Sequence, residues 1–166
     1  MRVSTYRRGL LRGRPRVAVD LTPNCHGALS DEAIREAGIF RPFSERALHV
    51  DSGMSFGLGS ASYDVRIKDD TWLGPWGFAL AVTVEHFTIP RNVLGVVHDK
   101  STLARRGISM FNTYIDPGFQ GFLTLEISNR RWRPIMFLAG QPIAQIVLYF
   151  TDRPVSRPYA GKYQHA

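Results

Sequence analysis

Alternation of apolar and polar positions recurs along most of this chain, in short runs broken by Gly and Pro. Ser60 to Ile67 (SASYDVRI) puts Tyr63, Val65 and Ile67 on one face and Asp64 and Arg66 on the other, the two-residue period of a strand. Phe78 to Phe87 (FALAVTVEHF) predicts a strand ended by Pro90, which cannot donate to a ladder. Val93 to Val97, Ile108 to Phe111, Phe122 to Ile127, Ile135 to Leu138 and Gln141 to Phe150 predict further strands. Turns fall at Leu73 to Gly77, at Asp116-Pro117-Gly118, and at Ala139-Gly140. Helical signals are brief. Ser30 is placed to cap a helix with Asp31 and Glu32 in its first turn and Gly38 at its end, and Ser101 to Arg106 makes about one and a half turns before Gly107. The pattern is that of a mainly β domain with one or two short helices.

Ten prolines and fifteen glycines among 166 residues agree with many short strands and turns. A single cysteine, Cys25, excludes an internal disulfide and a Cys-rich zinc site, which suits a reducing cytoplasm. No apolar run approaches the roughly 20 residues of a membrane span. The net charge of +7 suggests a nucleic-acid binder until it is divided along the chain. Residues 1 to 28 hold six arginines against Asp20 alone, whereas the rest carries 15 basic and 13 acidic side chains. The charge therefore belongs to a basic N-terminal extension, open to readings as a solvated arm, a targeting segment, an oligomer contact or a polyanion contact. A body from 29 to 152 succeeds it, and a polar tail from 153 to 166.

The chemistry gathers between Asp99 and Asn129. Lys100, Ser101 and Arg105 make a cationic turn, with Ser101 and Arg105 four residues apart and so on one side of it. If Ser101 caps that turn, Lys100 and the first N–H groups converge on one spot suited to phosphate; the same residues also fit a plain helix cap and a surface arginine. In Phe122 to Ile127, period two puts Phe122, Thr124 and Glu126 on one face and Leu123, Leu125 and Ile127 on the core side. Glu126 thus faces a second surface, either a cleft or water. His86 and His98 have no metal-site spacing. Asp64 fits either a surface position or a role at a subunit junction or near a phosphate-bound cation. Tyr159, Lys162 and Tyr163 fit either a frayed end or a flap over an anion.

Five stretches, in order, resemble the dCTP deaminase branch of the trimeric dUTPase superfamily: LSDEAIREAG from Leu29, SYDVRI from Ser62, KSTLARRGI with IDPGFQGFLTLEISN, GQPIAQIV, and PYAGKYQ. The central block is the specific part. The resemblance implies a distorted β-barrel or jelly roll of the dUTPase-like type, three copies around an axis, and active sites between neighbouring subunits. It implies deamination of dCTP to dUTP and ammonia in pyrimidine deoxynucleotide metabolism. By the same resemblance Glu126, ten residues after Asp116, is the catalytic carboxylate, with Arg105 and Ser101 beside it.

The family likeness also implies how such a site would be laid out. Water is to be delivered to C4 of cytosine with Glu126 carrying protons. The His-x-Glu and Pro-Cys-x-x-Cys set of zinc deaminases is missing from the sequence, so no zinc is expected and Ser101 and Arg105 orient the water. Lys100, Lys162 and Tyr159 are candidates for the phosphates, with Gln145 and Gln164 weaker ones, and Mg2+ is carried on the triphosphate. Asp116 is to accept from the 3'-hydroxyl and Phe119 to pack under the sugar. Asn112 and Thr113 replace the usual small-residue segment at the base, in a loop one or two residues shorter than the family's. The tail stops two residues after Gln164 and lacks the longer family ending, so weaker phosphate closure is expected. Alternatives are a dUTP diphosphatase or a bifunctional enzyme yielding dUMP and pyrophosphate, and a non-catalytic nucleotide-binding regulator.

Overall fold

The structure, a computed structural model, describes residues 27 to 165. Cys25 and nearly all of the basic extension lie outside the described residues. The first helix forms as its sequence requires: α1 (Asp31–Ala37) is capped by Ser30, whose hydroxyl accepts from the Ala33 amide at 3.4 Å, and it ends on Gly38 at φ 61°.

Twelve strands occur among the described residues. They are β1 (Phe40–Arg41), β2 (Ala47–Leu48), β3 (Ser55–Leu58), β4 (Tyr63–Arg66), β5 (Thr71–Leu73), β6 (Phe78–Thr88) and β7 (Val93–Asp99), then α2 (Ser101–Ala104). After it come β8 (Ile108–Met110), β9 (Tyr114–Ile115), β10 (Gln120–Asn129), β11 (Ile135–Phe137) and β12 (Pro142–Phe150). A four-stranded sheet runs β1-β6-β10-β8, a six-stranded sheet β2-β3-β4-β12-β7-β9, and β11 pairs with β5. The mainly β expectation is met, and the sheets curl into a half-barrel.

Alternation explains which faces meet. Tyr63, Val65 and Ile67 are fully buried, as their period predicts. Phe40 of β1 stacks on Tyr63 of β4 with centroids 4.0 Å apart, and Phe87 of β6 meets the Phe40 edge at 5.2 Å. These rings join the two large sheets, each burial worth about 2 kcal/mol of transfer free energy.

One inward position of β6 is charged. Glu85 points into the core between Thr83 and Phe87 at 0% exposure, where Arg66 donates to it twice, from Nε at 2.8 Å and from its own backbone amide at 2.9 Å. Burial raises the Glu85 carboxyl above its ordinary range, outweighing the opposing effect of Arg66. The outward face of β6 is correspondingly apolar: Phe78 and Leu80 are 56% and 63% exposed. Arg66 and Asp64 therefore differ from free surface charges, since both are half-buried and paired.

Candidate active site

The cleft is built on β10. From Gln120 to Asn129 this strand pairs with β6 along most of its length, Glu126 standing opposite Leu80 and Thr124 opposite Val82. A bulge between Phe122 and Thr124 interrupts the ladder. Strict alternation fails at Leu123, which is half-buried, packs against the edge of the core and lines the cleft, while Leu125 and Ile127 are buried as expected.

The cleft has a volume of about 480 Å3. Glu126, Asn112, Thr113, Asp116, Phe119 and Tyr159 all line it. Two devices bring these six together from distant parts of the chain. The first is the turn before β10: Gly118 has φ 90°, and a Cβ there would lie 2.5 Å from the Cβ of Pro158, so only glycine permits both the bend and the tail's approach. The second is the tail itself. The Tyr159 amide donates to Pro117 O at 2.8 Å, and Gln164 bridges the turn, donating to Gly118 O at 3.0 Å and accepting from the Gln120 amide at 3.2 Å. Tyr159 then meets the Phe119 ring edge-on at 5.8 Å. Gln164 thus acts on the turn, and Lys162 lies over the Tyr163 ring, 5.4 Å from its centroid.

Asn112 faces β10. Its Nδ2 donates to Thr124 O at 2.8 Å and its Oδ1 accepts from the Glu126 amide at 2.9 Å. Glu126 forms none of the ion pairs found among the described residues.

The cationic turn lies elsewhere. Ser101, which opens α2, and Arg105, its C-cap, are exposed and do not line the cleft of their own chain. The N-cap of α2 is Lys100 rather than Ser101, with no side-chain cap bond, because the helix starts at Ser101 itself. Lys100 is 7% exposed and its Nζ lies 2.6 Å from Asp64 Oδ2, so in this chain its charge is matched by β4. Gln145 donates to Ser62 Oγ at 2.9 Å, and it too is outside the cleft lining.

Sequence reasoning missed the apolar wall, Leu80 and Val97. The signal was present in FALAVTVEHF, where Leu80, Val82 and Val84 make the outward face apolar and so demand a cover. It also missed Lys68, whose Nζ lies 5.0 Å from the centroid of the Phe122 ring at the cleft. Among the described residues no three His, Cys, Asp or Glu side chains cluster as metal ligands.

Comparison with known proteins gives this geometry a context. A family described as dCTP deaminase-like matches residues 36–151. The dCTP deaminase of Azotobacter vinelandii is 34% identical over 165 residues, covering 78% of this chain and 88% of its own. That of Campylobacter hominis is 36% identical over 174 residues, covering 83% and 91%. Among solved structures, the 2'-deoxycytidine 5'-triphosphate deaminase from Agrobacterium tumefaciens aligns at TM-score 0.60 and 21% identity, over 76% of this chain and 48% of that one. The native EIAV dUTPase aligns at 0.54 and 19%, over 75% and 97%. These two likenesses establish the dUTPase-like fold, and with the matched sequence family they place this chain among the enzymes of the dCTP deaminase-like family.

Proposed function

We propose that the protein hydrolytically deaminates dCTP to dUTP and ammonia, in pyrimidine deoxynucleotide metabolism. The observation that carries the reading is the position of Glu126: a carboxylate lining a cleft whose wall includes Leu80 and Val97, in company with Asn112, Thr113, Asp116, Phe119 and Tyr159. The named relatives act on dCTP, and the cleft is of a size to take a pyrimidine deoxynucleoside.

In this reading water adds to C4 of cytosine, and Glu126 takes its proton and delivers it to N3. A second proton, from the new hydroxyl, passes through Glu126 to the amino nitrogen. The C4–N bond breaks, ammonia leaves, and C4 keeps the oxygen as a carbonyl. Phe119 packs under the sugar, Asp116 accepts from the 3'-hydroxyl, and Thr113 lies beside the base.

The site is completed by a neighbouring copy in a homotrimer. Support comes from three features: Glu126 forms no ion pair in its own chain among the described residues, Ser101 and Arg105 stand exposed at the two ends of α2, and β6 presents Phe78 and Leu80 outward. A neighbour's Arg105 and Ser101 would hold the water and stabilise developing charge. Water activation is zinc-independent, with Mg2+ arriving on the triphosphate as part of the substrate. Lys162 and Tyr159 contact the phosphates, Gln164 holds the tail, and Gln145 holds Ser62 at the start of β4.

A second reading is a dUTP diphosphatase or bifunctional enzyme, favoured by exposed Asp116 at the cleft, where it can orient a water toward phosphorus. Incubation with dCTP and with dUTP, each with Mg2+, and ion-exchange separation of the products distinguish the two. Ammonia with dUTP supports the first, and pyrophosphate with dUMP the second. Absence of turnover on both substrates removes both.

A further inference from the structure

Resting on that reading, we propose that Asn112 is a positioning residue for Glu126, and that its carboxamide serves β10 as a missing strand rather than reading the base. The strand β8 ends at Met110, and the last backbone bond on this edge comes from the Phe111 amide just past it, which donates to Glu126 O at 2.9 Å. Backbone groups along a strand point to alternate edges, so the Glu126 amide is directed to the same edge as its carbonyl, away from β6. No backbone of β8 reaches it. Asn112 does, accepting from that amide at 2.9 Å while donating to Thr124 O at 2.8 Å.

A carboxamide is the side chain that carries both halves of a peptide group, so one residue closes both bonds. The need is local. The bulge between Phe122 and Thr124 interrupts the β6 ladder immediately upstream; β6 pairs again from Thr124 to Glu126, and Asn112 supplies the bonds of the opposite edge on both sides of Leu125. Thr124 and Glu126 both line the cleft. A reacting group displaced by about 1 Å costs on the order of 100-fold in rate.

The test uses the full-length protein with dCTP and Mg2+, compared with Asn112→Ala and Asn112→Asp, and hydrogen exchange of the Glu126 amide in each. Asn112→Ala is expected to lower kcat for ammonia release ~10- to 100-fold with little change in KM, and to speed exchange at Glu126. Asn112→Asp retains the acceptor but adds a carboxylate near Glu126, so the acidic limb of its kcat profile moves to higher pH. Unchanged kcat in Asn112→Ala, or a raised KM with kcat intact, overturns the inference; the latter makes Asn112 a base contact. If the wild-type protein releases no ammonia, the proposed reaction fails by itself. Exchange then decides separately, faster exchange in Asn112→Ala supporting the clamp and unchanged exchange overturning it.

Discussion

Leu80 and Glu126 stand directly opposite each other on β6 and β10, an apolar side chain and a carboxylate on the same outward face of the sheet. Leu80 is 63% exposed and lines the cleft with Glu126. Such a pair makes poor sense on a solvated sheet face, and good sense where a planar base rests against the leucine while the carboxylate handles protons.

From that placement, Glu126→Gln should lower ammonia release from dCTP by ~10^2- to 10^4-fold, the usual contribution of a positioned acid–base group. Nucleotide affinity, measured by calorimetry with dCTP, should change little, since the amide retains shape and polarity. Full activity in Glu126→Gln would remove the mechanism.

Subunit mixing addresses the origin of the cation. Arg105→Ala and Glu126→Gln should each be inactive alone. When unfolded together and co-refolded at equal amounts, random assembly of a ring gives roughly one quarter of sites an intact carboxylate from one subunit and an intact arginine from the next. Recovery of about that fraction of activity is expected; a mixture as inactive as its components would place the whole site in one chain, and full activity of Arg105→Ala alone would place the arginine outside the reaction.

Glu85 gives the stability curve a defined sign. Its folded-state pKa is raised from the ordinary 4.5, so the native protein holds the proton at pH values where the unfolded chain has released it. Native stability is then greatest below the ordinary value and declines as pH rises through the raised one. Glu85→Gln, which still accepts from Arg66, should flatten urea-unfolding free energies across that window. An unchanged slope would show that Arg66 fully offsets the burial.

Lys100 is expected to matter for the fold before it matters for phosphate. Its ion pair with Asp64 has both side chains largely buried, at 8% and 15% exposure, and Asp64 Oδ1 has no hydrogen-bond partner among the described residues. Lys100→Ala should cost about 3 kcal/mol in urea unfolding, by stranding the carboxylate. The double change Lys100→Met with Asp64→Asn should cost clearly less. Equal losses in both would show that stranding the Asp64 carboxylate is not what Lys100→Ala costs.

The chain itself determined a good deal: the α1 cap at Ser30 and stop at Gly38, the outward face of Glu126, the buried face of Tyr63, Val65 and Ile67, and the bend at Asp116-Pro117-Gly118 all come from interactions between residues a few positions apart. The order of its motifs was enough to indicate the family and with it the dUTPase-like fold. Tertiary structure decided the rest. Lys100 and Asp64 meet across 36 positions, and Gln164 reaches Gly118 across 46. Leu123 is only half-buried because a bulge breaks the period, and Glu85 enters the core because Arg66 of β4 can satisfy it. Local pattern fixes the face on which a side chain emerges, but which group waits there is set by strand pairing over long separations, and no periodicity in the sequence encodes that partner.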